Sequence, residues 1–453
     1  MRLCYGIILL IILTFLFALS YKSESDLFSP LCVFSILTIL RYVPNIISKG
    51  YESFTYLNEE DTYYTFCFEL LSIFSVLVGY LISISFNMNR EKRYVQIEKY
   101  TAYKNGKRAV SEWQVMLFYC IGIGARVLLI YKSGGVKYVV ANMGTSYAGI
   151  REGTGYIFFV SNCAIIAIML QMYLMFEVRG KNIKIYIHRR NALIAMVVLY
   201  CGSYLIYSSR SPVFELMLYL LFGYNYLSRR IKISFIFRPI IMLGLVLAVF
   251  IIVAMPIFRN GSSIGKISFG GVVSDFFSEF SYVGRDTFVY QYFSTHEHWF
   301  GKNYVSLFTS FIPSTIYKSK PPNDDGIYLL NIMRGNEVVP PTSRDKLIYF
   351  YSCPFSTPGI MYANFGIVGL LLGNFFVGWL YAKTYIKAKN SHDIMNIIVY
   401  LLVVYSLELS TLSILQTINP LLVSYIVYWI VAQKRKRIKI VISKYKNTLC
   451  QFK

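Results

Sequence analysis

Long apolar stretches separated by short charged breaks set the rhythm of this chain. Eleven such stretches occur, at residues 3–20, 27–40, 62–86, 113–131, 155–177, 192–209, 212–227, 239–257, 357–382, 394–416 and 421–432. Several reach the roughly 20 residues that a helix rising ~1.5 Å per residue needs to cross a ~30 Å hydrocarbon core. In lipid, every backbone N–H and C=O must pair within its own segment, so these stretches are expected to be helices. The second covers only about 21 Å and is short for a span. The first follows Arg2 and resembles a signal peptide with Ala18-Leu19-Ser20 as its cleavage site. A retained first span is the preferred reading, because a polytopic chain needs no cleaved signal.

The breaks carry the topology. Arg90, Lys92, Arg93, Lys99, Lys104, Lys107 and Arg108 form one, and Arg179, Lys181, Lys184, Arg189 and Arg190 another. Arg229, Arg230, Lys232 and Arg238 follow, then Lys383, Lys387 and Lys389, then the tail beginning at Lys434-Arg435-Lys436-Arg437. Basic breaks stay in the cytoplasm. All of them fit one alternating register, which places residues 132–154 and the long polar stretch after residue 257 outside. The N-terminal end admits two solutions: about eleven spans with an outer N-terminus, or a re-entrant second stretch. The layout is therefore an N-terminal transmembrane bundle at 1–257, a large outer loop at 258–355, C-terminal transmembrane helices at 356–433 and a basic cytoplasmic tail at 434–453. No internal repeat is evident.

Composition agrees. Mean hydropathy is +0.50 over 453 residues and only 15% are charged, against about 25% in soluble domains. The fold class is an all-α polytopic integral membrane protein with about 11 (10–12) transmembrane helices. A formal charge of +22 would point to nucleic acid in a soluble domain. Here the basic residues sit in breaks, where they set topology and touch anionic headgroups, so membrane lipids are expected partners and nucleic acid is not. Of eight cysteines, six lie in apolar stretches and none forms a CxxC, which argues for small buried hydrophobes over disulfides or zinc.

Charged residues at the ends of the stretches are the candidate chemistry. Arg210 sits in the hairpin tip Ser208-Ser209-Arg210-Ser211-Pro212. Ser211 is a good N-cap and Pro212 a good first helical residue, so a guanidinium lies beside a helix N-terminus, an arrangement suited to phosphate or pyrophosphate. The plainer reading is an arginine snorkelling to headgroups. Arg126, in the outer part of its stretch, and Arg151, just before the next, can converge on the same anion or serve structural pairs such as Arg151 with Glu152. In the large loop, Gly284-Arg285-Asp286 offers a phosphate ligand and a carboxylate that can orient it or act as base. His296 and His298 are the loop's histidines, with ordinary pKa values suited to proton removal near neutrality; two surface histidines are the plainer reading. Glu408, inside 394–416 and beside a stripe of Ser406, Ser410, Ser413 and Thr417, is expected to pair with an arginine or line a cavity. Gly366, Gly369, Gly373 and Gly378 are expected to allow close helix packing. Glu59-Glu60-Asp61 can hold Mg²⁺ or Mn²⁺ against a phosphate, but three acids in a row are ordinarily a solvated loop. No metal or cofactor is expected.

The order of motifs resembles the Wzy-type O-antigen and capsule repeat-unit polymerases. Gly284-Arg285-Asp286 comes first, then Gly301-Lys302-Asn303-Tyr304, Phe311-Ile312-Pro313 and Tyr317-Lys318-Ser319-Lys320-Pro321-Pro322. The last is Thr357-Pro358-Gly359-Ile360-Met361-Tyr362-Ala363-Asn364-Phe365-Gly366. Arg210 in its Ser-Arg-Ser-Pro tip is similar to the family's hairpin arginine, and the resemblance covers residues 113–385. It implies a GT-C-like, metal-free glycosyltransferase of the bacterial cytoplasmic membrane with an outer active site. Two undecaprenyl-diphosphate-linked oligosaccharides would be joined, with Arg210, Arg285, Asp286, His296 and His298 catalytic. Arg126, Arg151, Lys320, Tyr362 and Asn364 would bind diphosphate or sugar, and a chain-length regulator is an implied partner. The related O-antigen ligases rely on a loop histidine to which neither His296 nor His298 aligns, so the base stays open. An O-antigen ligase or a metal-using GT-C enzyme, where Glu59 and Asp61 would matter, is one alternative. A polysaccharide flippase is another, though repeated halves and broken central helices are not evident.

Overall fold

Apolar stretches without interior breakers become helices throughout the computed structural model, which describes residues 2–47, 59–101, 108–141, 154–205, 211–236, 281–313, 316–390 and 393–434. The N-terminal part contains α1 (Arg2–Glu24), α2 (Pro30–Ile47), α3 (Glu59–Thr101), α4 (Glu112–Lys132), α5 (Gly155–Glu177), α6 (Ile183–Leu205) and α7 (Ser211–Leu227). The polar stretch holds α8 (Val283–Thr295), α9 (Val305–Thr309) and α10 (Asp325–Met333), and α11 (Thr357–Asn390), α12 (Ile394–Ser406) and α13 (Thr411–Val431) follow. Six described helices are long and apolar enough to cross a membrane, namely α1, α3, α4, α5, α11 and α13, and α2 and α12 carry shorter apolar segments. The expected stretch at 239–257 lies outside the described residues.

The C-terminal end departs from expectation. Instead of helices at 394–416 and 421–432, one helix stops at Ser406 and the next runs unbroken from Thr411 past Pro420 to Val431. The serines that read as a stripe are the cause. Ser410 Oγ accepts the Ser413 N–H as an N-cap, and Ser413 Oγ accepts the Glu408 N–H at 2.6 Å. Serine hydroxyls competing for backbone groups end one helix and start another, so Glu408 sits in a turn rather than inside a span.

Pairing sorts the helix ends onto two faces. Arg189 pairs with Glu112 at 2.9 Å and Arg179 donates to Ser228 at 2.6 Å. Arg230 pairs with Asp26, and Lys389 with Glu24. A three-residue antiparallel ladder joins Arg108–Val110 to Ala432–Lys434. The described basic breaks thus gather on one face, and the polar stretch lies at the other. Asp26 brings the α1–α2 turn onto the basic face, fully buried yet receiving Asn225, Tyr226 and Tyr385 as well as Arg230. From there α2 runs to the loop face, where Arg41 lies. Ser20 and Ser29 hydroxyls meet at 2.7 Å across the hairpin. The start of α1 lies at the loop face, where Tyr5 packs on Tyr63 and Phe66 of α3.

Close approach of α3 and α11 sets the frame around which the loop docks. A Cβ at Gly79 would strike the Phe375 carbonyl, and one at Gly378 the Val76 carbonyl. Gly378 therefore does what was expected of it. Gly366 and Gly369 serve α11 itself, which breaks at Phe365 (φ −139, ψ 16) and Gly366 (φ 62, ψ −150), the latter a backbone region that glycine alone adopts without strain. A Cβ at Gly373 would lie 2.5 Å from the Met361 side chain. In the other half, α5 is the central helix: every residue from Cys163 to Met172 is buried, as befits a helix apolar all round.

Gly79→Leu should lower the thermal stability of the detergent-extracted protein by at least about 1–3 kcal/mol, the usual cost of overpacking, because backbone must move. Gly124→Ala, where nothing lies within 4 Å, should leave the midpoint unchanged or slightly raised. Equal midpoints for both variants in a fluorescence-detected melt would refute this packing.

Candidate functional site

The start of α8 is fastened to the bundle by polar contacts. Tyr282 N–H donates to the Arg41 carbonyl at 3.3 Å. One turn on, Asp286 is fully buried, receiving the Tyr42 hydroxyl at 2.7 Å and the Ser356 hydroxyl at 2.7 Å. Ser356 also accepts Gly359 N–H at 2.9 Å and so caps α11. A Cβ at Gly359 would lie 2.6 Å from Asp286 Oδ1, so the missing side chain lets the carboxylate approach the positive end of the helix dipole. Thr65 and Thr287 hydroxyls meet at 2.6 Å, and Tyr290 donates to buried Glu69 at 3.3 Å. Burial, with Glu69 and Asp286 beside it, pushes the Tyr290 phenol well above its usual range.

Two guanidiniums lie against one ring. Arg41 Cζ is 5.0 Å and Arg285 Cζ 4.3 Å from the Tyr282 ring centroid. Arg41 is held by Glu408 at 2.6 Å, the arginine pair expected of that carboxylate. Arg285 is held by the carbonyls of Ser281 and, at 3.2 Å, Pro354. Burial and the Glu408 carboxylate push the Tyr282 phenol up to about 12 against the pull of the two guanidiniums, so the ring stays neutral beneath them. Next to Arg41 is a cavity of about 50 Å³ lined by Tyr42, Glu69, Ser356, Tyr381 and Glu408, room for about one or two waters.

The second concentration is at the break in α11. The break frees carbonyls from the helix ladder, and the loop takes them up: Trp299 N–H donates to Ala363 O and Phe300 N–H to Asn364 O, each at 3.0 Å. Gly301 N–H donates to Asn364 Oδ1 at 2.8 Å, while Asn364 Nδ2 donates to Ile360 O at 2.9 Å. Both ends of that amide are thus engaged within the fold. His298 packs on Gly366, where a Cβ would lie 3.1 Å from its Nε2. Its ring meets Tyr362 at 5.7 Å, Phe293 at 6.0 Å and Phe300 at 6.2 Å. The structure therefore unites His298, Tyr362 and Asn364.

Other expected residues stand apart. His296 closes α8, its Nδ1 2.9 Å from the Tyr292 carbonyl and its ring stacked 3.9 Å from Tyr292. Lys320 donates to the Ile312 carbonyl at 3.0 Å, and partial burial pulls its ammonium below the usual range. Arg126 is fully buried, 3.6 Å from the Tyr204 ring centroid in the last turn of α6, the helix that leads to Arg210. Arg210 and Arg151 lie outside the described residues, as do the side chains of Glu59 and Asp61.

Three site residues escaped the sequence reading. Arg41 follows the short apolar stretch 27–40 and reads locally as no more than its end. Glu69 is a lone acid in an apolar one, a signal that marks functional positions in membranes. Asp325 is fully buried at the start of α10, where Oδ2 accepts Thr411 N–H at 2.7 Å and Asn303 Nδ2 at 3.2 Å. It ties the loop to the start of α13. Burial pushes its carboxyl up to about 6, against the pull of the Thr411 and Asn303 bonds.

A family model described as O-antigen polysaccharide polymerase Wzy matches residues 1–321. No curated protein and no solved structure matches the chain.

The Asp325 carboxyl gives a pH signature. Its ordinary value is 3.8 and its folded value about 6, so the fold holds the proton more tightly than the unfolded chain does. Stability is therefore gained as pH falls through 6 toward 4, and given up as it rises. Asp325→Asn keeps an acceptor for Thr411 without a charge to bury. From about pH 8 to about pH 5 the wild type should gain on the order of 1 kcal/mol relative to this variant, since only part of the shift from 3.8 to about 6 is crossed by pH 5. Parallel thermal midpoints across that range would contradict the account.

Proposed function

The chain belongs to the O-antigen polysaccharide polymerase Wzy family, and on that footing we propose that it joins undecaprenyl-diphosphate-linked oligosaccharide repeat units into O-antigen or capsular polysaccharide. By the positive-inside rule the basic face is cytoplasmic, and the loop face, with Asp286 and the arginines, is outer. A growing chain is the donor. The bond between its anomeric carbon and the diphosphate oxygen breaks as a hydroxyl of the incoming unit forms the new glycosidic bond. The electron pair departs with undecaprenyl diphosphate, and the proton of the attacking hydroxyl leaves to a base on the acceptor side or to water.

The observation that carries this reading is the pair of anchored guanidiniums, Arg41 and Arg285, against Tyr282. Each is fixed by other groups, Glu408 for one and backbone carbonyls for the other, and an arginine retains further N–H donors when so held. Charge that is fixed before the reaction stabilises a leaving diphosphate without reorganisation. We assign Arg210, Arg126 and Arg151 to a second cationic group for the diphosphate, and Lys320 to a third. Asp286 acts as a positioning residue. At the break in α11, His298 rather than His296 is the histidine we assign to the acceptor side, with Tyr362, because His296 closes the end of α8.

Arg210→Ala, Arg41→Ala and Arg285→Ala should each leave single-repeat glycan and almost no long chains at normal membrane level of the protein. The loss of one fixed charge costs on the order of 10²–10³ in rate. Arg210→Lys should stay strongly impaired, since lysine lacks the planar fork, and Arg41→Ala with Arg285→Ala should be much less than additive. The measurement is a glycan ladder beside an immunoblot; a full ladder from all three alanine variants would remove the reading.

His298→Gln should shorten the ladder while His296→Gln leaves it near wild type. The opposite pattern would reassign the acceptor side.

A further inference from the structure

The segment after α8 carries large apolar side chains that the fold leaves uncovered. Phe308 is 81% exposed, Phe311 62% and Ile316 77%, with Val305 and Ile312 also exposed. Such a grouping in so short a stretch marks an interaction surface. The segment is also held in shape. Ile316 and Tyr317 N–H both donate to the Pro313 carbonyl at 3.0 Å, and Lys320 reaches back to the Ile312 carbonyl.

Two bonds fix its height. Tyr156 donates to the Phe311 carbonyl at 3.1 Å, and Tyr304 to the Leu409 carbonyl at 2.8 Å. Tyr156 is in the first turn of α5, and Leu409 is in the turn before α13. Both mark loop-face ends of spanning helices, the level at which hydrocarbon gives way to headgroups. Outward side chains of α13, Leu422 and Tyr425, are apolar and exposed as well, as a lipid-facing helix requires. The charge of the patch has one sign: residues 298–322 contain Lys302, Lys318 and Lys320 and no Asp or Glu. Apolar side chains beside lysines, with no acid among them, match an anionic lipid interface.

We propose that residues 305–313 and 316–320 form a membrane-interface element. Phe308, Phe311 and Ile316 enter the acyl region of the leaflet beside the loop, and Lys302 and Lys318 lie at its phosphates. The occupant is phospholipid. The inference needs only the spanning helices and is independent of the reaction assigned to the protein.

The test reads depth. A nitroxide is placed at Phe308→Cys in a full chain whose exposed Cys4 and Cys120, and Cys450, are serine, reconstituted in nanodiscs containing phosphatidylglycerol. Collisions with oxygen, which partitions into hydrocarbon, are compared with those of a water-soluble nickel chelate. Oxygen should dominate at 308 as it does at Tyr425→Cys on α13, while nickel dominates at Glu297→Cys. Nickel access at 308 equal to that at 297 would overturn the proposal. Ile316→Cys repeats the measurement should the first variant fail to assemble. Depth is read without polymerisation, so this outcome and that of the glycan ladder stand apart.

Discussion

A carboxylate in an apolar interior must be met by donors or it shifts its charge state at large cost, and the docking of the loop follows from meeting that demand at Asp286. Its partners come from different elements: Tyr42 from α2 and Ser356 from the cap of α11, with Asp286 itself on α8. Satisfying one side chain therefore draws three helices to one point. The arginines are carried along. Arg41 precedes Tyr42 and Arg285 precedes Asp286, so the bond between tyrosine and aspartate brings both guanidiniums to Tyr282. The position of both guanidiniums is thus set by a contact that neither of them makes.

The basic face uses the same logic with the opposite outcome. Asp26 is as buried as Asp286 but is met by a cation, Arg230, as well as by Asn225, Tyr226 and Tyr385. Breaking such a pair typically costs about 3–5 kcal/mol, so the α1–α2 turn is tied firmly to the ends of α7 and α11. Both ends of α2 thus combine an ion pair with neutral donors, Arg230 with Asp26 at one and Arg41 with Glu408 beside the Tyr42–Asp286 bond at the other.

The spans were legible because an apolar run in lipid has only one way to satisfy its backbone; Gly155–Glu177 was read to the residue. What the sequence concealed was which polar residue answers which. Glu408 was recognised as needing an arginine, but Arg41 lies far away in the chain and reads locally as the end of a short stretch. Ser410 and Ser413 at helical spacing read as a stripe, since a cap and an interior serine are identical letters until the backbone turns. The hydrogen bonds of Asn364 to Gly301 and Ile360 could not be read locally, because the carbonyls freed at Phe365–Gly366, which bring the loop to it, are invisible without the break. Asp286 stands out in the sequence through Gly284-Arg285-Asp286, while its contacts in the fold come from Tyr42 and Ser356, neither of which carries a motif.

The break in α11 has a consequence for how such a chain can diverge. Trp299 and Phe300 are attached to it through main-chain N–H groups and the carbonyls of Ala363 and Asn364, and main-chain attachment is indifferent to side-chain identity. Drift in the surrounding loop can therefore change its side chains while the seat of the loop persists. The stringent requirement falls on Gly366, whose backbone conformation excludes a side chain. A lineage could exchange much of its loop surface by point substitution and still inherit the same architecture.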